Sequence, residues 1–94
     1  MKRYKTRPGV VLTKVCGQYY LVAAKPLREE LPYTAQINET AAFCWRVLEQ
    51  GADLETLAER VAGEYAIEQT AELREDLRQL MAQLSEHRYV IEEA

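Results

Sequence analysis

A chain of 94 residues with 48% hydrophobic and 29% charged side chains has room for one domain and one modest core. That composition excludes a disordered chain, and no apolar run reaches the roughly 18 residues of a membrane span. The net charge of −3 hides a polarity: residues 1–28 carry seven Lys/Arg and no acid, whereas residues 29–94 carry fifteen Asp/Glu against five Arg. No long apolar run follows the basic start, so no signal peptide is read and the expected location is the cytoplasm. Residues 1–8 are expected to be flexible.

The first predicted element is a hairpin over residues 9–24. Val10-Val11-Leu12-Thr13-Lys14-Val15 and Gln18-Tyr19-Tyr20-Leu21-Val22-Ala23-Ala24 have strand composition. Cys16-Gly17 is the two-residue turn between them, although cysteine is a poor residue for positive φ. Two prolines bracket Lys25–Pro32, which reads as a surface loop with a short helical turn. Tyr33–Ile37 is a brief third strand.

Asn38 then caps a helix over Glu39–Gln50 whose apolar face is Ala41, Trp45 and Leu48, widened by Phe43, Cys44 and Val47. Gly51 ends it. Asp53 caps a second helix, with Leu54, Leu57, Ala58, Val61, Ala62 and Tyr65 at helical spacing. Thr70 caps a third, with Leu73, Leu77, Leu80, Met81 and Leu84 on one face, ending near Glu86–Arg88. Tyr89-Val90-Ile91 is either a short last strand or a packed tail. The expected fold is α+β and winged helix-turn-helix-like: a three-stranded antiparallel sheet followed by three helices, in a single domain over 1–94.

Catalytic chemistry is scarce in this sequence. His87 is the one histidine, and its place in the last helical turn suits the helix dipole. Cys16 and Cys44 are far apart with no CxxC, so neither a zinc site nor a disulfide is expected. Cys44 falls on the apolar side of its helix and reads as a small buried hydrophobe. Cys16 falls in the turn, where a thiol-dependent activity is the weakest of three functional readings. A winged-helix DNA-binding regulator is the alternative reading. It is opposed by the acidic second and third helices, which would repel phosphates. The remaining option is peptide binding at a sheet edge, where an extended peptide gains main-chain hydrogen bonds.

The block Ile37-Asn38-Glu39-Thr40-Ala41, then Trp45, then Leu48-Glu49-Gln50-Gly51, resembles the PqqD-like family, or RiPP recognition elements. Pro8–Leu12, Tyr20-Leu21-Val22, Leu54–Arg60 with Tyr65, and Leu73–Leu84 extend the resemblance over residues 8–91. The chain differs from the founding coenzyme-synthesis type in its longer Pro26–Pro32 loop. The resemblance implies a non-enzymatic, cofactor-free chaperone that binds the leader of a ribosomally made precursor peptide. It implies presentation of that peptide to a modifying enzyme, often a radical S-adenosylmethionine enzyme. It implies strand addition to the third strand, beside the third helix. Carried onto this chain, the peptide-binding residues are Tyr33, Thr34, Ala35, Gln36, Ile37, Leu73, Leu77 and Leu80. No catalytic residue, metal, nucleic acid or membrane is expected, and the state is a monomer or weak dimer.

Overall fold

Two successive left-handed residues fold the first hairpin. Strands β2 (Val10–Val15) and β3 (Gln18–Ala23) meet at Cys16 and Gly17, with φ of 51° and 79°. Positive φ at both central positions is the pattern of a type I′ turn, whose twist matches the strands it joins. Cysteine is thus tolerated where Asn is usual. The computed structural model describes residues 2–25, 29 and 34–93. Most of the predicted Lys25–Pro32 loop and Tyr33 therefore lie outside the described residues.

β4 (Ala35–Ile37) pairs antiparallel with β3, giving a sheet in the order β2-β3-β4. Three helices follow: α1 (Glu39–Leu48), α2 (Leu54–Tyr65) and α3 (Ala71–Glu86). Each begins as its cap residue dictates. Asn38 Oδ1 accepts from Ala41 N–H at 2.8 Å, Asp53 Oδ1 from Thr56 N–H at 2.7 Å, and Thr70 Oγ1 from Leu73 N–H at 3.0 Å. The Thr56 N–H is the main reason the Asp53 carboxyl is held below its ordinary range, with Arg3 adding a smaller share.

The helix ends use less usual residues. Ala66, with φ of 54°, closes α2 as Ile67 N–H donates back to Ala62 C=O at 3.0 Å. Arg88, with φ of 64°, does the same for α3 as Tyr89 N–H donates to Leu84 C=O at 2.9 Å. Both are Schellman closures, which satisfy orphan carbonyls and usually employ glycine. Helix α1 ends earlier than the predicted Gln50, with Glu49 as its cap. Gly51 sits two residues beyond, and a β-carbon there would lie 3.1 Å from Arg3 Nη2.

The opening residues depart from their expected flexibility. β1 (Arg3–Thr6) is the central strand of a second sheet, β5-β1-β6, with β5 (Ala52–Asp53) and β6 (Val90–Glu93) on its flanks. Single-strand reading missed it because β1 alternates charged residues with Tyr4 and Thr6, and the partners lie about fifty and ninety residues along the chain. The predicted tail at Tyr89–Ile91 becomes a strand from Val90. The fold is α+β, as expected, with two three-stranded antiparallel sheets rather than one among the described residues.

One core joins these parts. Trp45 and Leu48 from α1, Leu57 and Val61 from α2, and Leu77, Met81 and Leu84 from α3 meet Leu21 and Ala23 of β3. Tyr4 and Val90 close it from the second sheet. Each large side chain withdrawn from water contributes about 1.5–3 kcal/mol before entropy is counted. Phe43 meets Tyr65 edge-on at 6.0 Å between ring centroids, tying α1 to the end of α2.

Candidate functional site

The sheet order leaves β4 at an edge, with β3 on one side and no strand on the other among the described residues. The ladder register fixes which main-chain groups face outward. Val15 opposes Gln18 across the two-residue turn, and Ala24 N–H donates to Gly9 C=O at 2.7 Å. Even-numbered residues of β3 therefore bond to β2, and Tyr19 and Leu21 turn their amides toward β4. Their partners there are Ile37 and Ala35, while Gln36 opposes Tyr20. By this alternation the N–H and C=O of Gln36 project from the open edge.

Side chains alternate in the opposite sense. Ala35 and Ile37 turn to the core side, where both pack against it half-buried. Gln36 turns to the outer face and donates through Nε2 to Gln18 Oε1 at 2.6 Å. An extended segment laid along Gln36 would thus point every second side chain toward the helical layer.

A groove of about 400 Å³ lies at that place. Gln36, Ile37 and Asn38 line one side, with Thr40 and Ala41 at the start of α1. Leu73, Asp76, Leu77, Leu80 and Gln83 of α3 form the other. Their spacing of three, four and seven from Leu73 is one helical stripe. Leu77 is only 3% exposed and belongs chiefly to the core, whereas Leu73 and Leu80 are half-buried and offer surface to the groove.

Of the eight residues carried over from the family resemblance, Gln36, Ile37, Leu73, Leu77 and Leu80 meet at this groove. Ala35 belongs to β4 with its side chain turned inward, and exposed Thr34 directly precedes it. Tyr33 lies outside the described residues. The groove also takes in Asn38, Thr40, Ala41, Asp76 and Gln83, which sequence reading did not assign to peptide binding. Asp76 and Gln83 were findable by helical arithmetic from Leu73. The α1 residues were not, because only the tertiary fold sets that helix start beside α3.

Cys16, Cys44 and His87 do not line the groove. Exposed Cys16 is at the hairpin tip, and buried Cys44 is pushed up to about 11 by desolvation. His87 caps α3 through its backbone N–H and is exposed. No cluster of three His, Cys, Asp or Glu with metal-holding geometry exists among the described residues. No described helix is long and apolar enough to cross a membrane. On the far flank of α3 a second cleft holds Lys2, Arg74 and Arg78, and each has an acid beside it: Glu92, Glu55 and Glu75 respectively.

Comparison with known proteins gives one family. The profile described as coenzyme PQQ synthesis protein D (PqqD) matches residues 32–90. That span runs from the approach to β4 through α3 and includes both sides of the groove, but not the β2–β3 hairpin. It is narrower than the resemblance over 8–91. No curated protein and no solved structure matches the chain significantly.

Proposed function

Because the chain belongs to the PqqD family, a family of non-catalytic accessory proteins serving peptide-modifying enzymes, we propose that it holds the leader of a ribosomally made precursor peptide by strand addition at β4. The 94 residues act as one peptide-holding domain in the cytoplasm and hand the peptide to a maturase of the radical S-adenosylmethionine type. The observation that carries the mechanism is the outward N–H and C=O of Gln36 beside the apolar wall of α3. An incoming strand pairs with the former and packs alternate side chains on the latter. β4 is three residues long, so the main chain offers few bonds and α3 supplies much of the selectivity.

The test is Gln36→Pro against a leader encoded beside a maturase. Proline removes the outward donor without removing a ladder bond to β3. A lost main-chain hydrogen bond of about 0.5–1.5 kcal/mol weakens binding by roughly two- to tenfold. Calorimetric titration reads the affinity, and circular dichroism checks the fold. Unchanged affinity in a folded variant rules strand addition out.

A further inference from the structure

The groove has a charge as well as a shape. Among the described residues, Asp76 is the one charged residue lining it, and it has no ion pair or hydrogen bond there. Glu72, one turn earlier on α3, is exposed, and so is Glu39, in the first turn of α1 beside the groove residues Asn38 and Thr40. The arginines of α3 do not offset them. Arg74 reaches Glu55 of α2 at 3.4 Å and Arg78 pairs with Glu75, both on the opposite flank. The neighbouring cation Lys14 lies 5.2 Å from the centre of the Tyr19 ring, in the adjoining cleft.

The groove also has a length. From Leu73 to Gln83 the helix advances about 15 Å. An extended chain covers that in about four or five residues. Its helix-facing positions are then i, i+2 and i+4.

Resting on the peptide-holding reading above, we propose that the groove selects extended segments whose three helix-facing positions carry two apolar side chains and one lysine or arginine. The apolar pair lies against Leu73, Leu80 and Ile37, and the cation reaches Asp76 at the solvent lip. A carboxylate at that lip is solvated, so the pair sets sequence preference more than total affinity. An acidic side chain there meets Asp76 with Glu72 behind it and is rejected.

Randomised dodecapeptides displayed on their own messenger RNA and selected on the full chain provide the test. Against the wild type, Lys and Arg rise about fivefold over the input at one helix-facing position, beside alternating apolar residues. Against Asp76→Asn the apolar alternation remains and the basic preference disappears. Against Asp76→Lys, Asp and Glu replace the basic residue. Apolar alternation with no basic preference, or a basic preference that survives Asp76→Lys, overturns the charge proposal and leaves strand addition standing. Recovery without alternation, together with recovery unaffected by Gln36→Pro, overturns both. Asp76 is exposed, so these variants fold as the parent does.

Discussion

Cys44 and Cys16 are both free thiols, yet their surroundings give them different chemistry. Cys44 has no exposed surface, and burial raises its thiol from 9.0 to about 11. The folded chain therefore keeps a proton that the unfolded chain loses between those values. Its stabilising contribution is complete below about 9 and is lost as pH rises through about 11. Denaturant titrations across that range should show Cys44→Ala losing less stability with pH than the wild type; parallel pH profiles would refute the assignment. A thiol reagent should modify one cysteine of the native protein quickly and the second only on unfolding. Two equally fast cysteines would contradict the burial of Cys44. Cys16, at the tip of the hairpin, does not line the groove, and Cys16→Ser is expected to leave peptide binding intact.

Helix termini carry the next level of specification. The three N-caps are Asn, Asp and Thr, each bonded as its residue type prefers, and all three were legible from sequence. The end of α3 at Glu86 was legible too, but the left-handed closures after α2 and α3 were not, because Ala66 and Arg88 adopt left-handed φ without being glycine. That conformation costs an L-residue about 1–2 kcal/mol. Glycine avoids this but loses more entropy on ordering, so Ala66→Gly should stabilise by about 0.5–1 kcal/mol. A raised thermal midpoint checks this, and a lowered one would show that Ala66 is not strained. The groove wall is a property of one helix face. Leu80 is half-buried on the groove, so Leu80→Glu should weaken peptide binding more than Gln79→Glu, an exposed change outside the lining. Equal loss from both, read by titration, would remove α3 from the binding account.

At the scale of the molecule, the charge polarity of the sequence is only partly kept, since basic β1 is flanked by Asp53 on β5 and by Glu92 and Glu93 on β6. The basic first third of the chain builds β1, β2 and β3, whereas α2 and α3 together hold seven of the fifteen acids against three arginines. A winged-helix protein would turn such helices toward phosphates, and here they repel them. The same acids attract a basic peptide. Association with a leader should therefore slow as ionic strength rises from about 0.05 to 0.5 M, since the screening length falls well below 10 Å over that range. Stopped-flow rates that ignore salt would take steering out of the mechanism. Trp45, at 1% exposure in the core, supplies a fluorescence signal for the folding controls.

The sequence by itself determined the hairpin, the three amphipathic helices, their caps and the apolar stripe of α3. Those features depend on local periodicity and on side chains bonding within one turn of their own backbone. Only the tertiary structure decided that Arg3–Thr6 is a strand, because both its partners are distant and its own pattern is mostly polar. It also decided which amides face the open edge, since ladder parity passes from the Cys16-Gly17 turn through β3 to Gln36. The groove is decided there too. Its two sides are more than thirty residues apart in the chain, and packing around Trp45 and Leu77 brings them together. One histidine, two isolated cysteines and a small core first pointed only away from catalysis. The fold turns the same economy into an edge, a wall and a carboxylate, the three parts on which the proposed peptide holding rests.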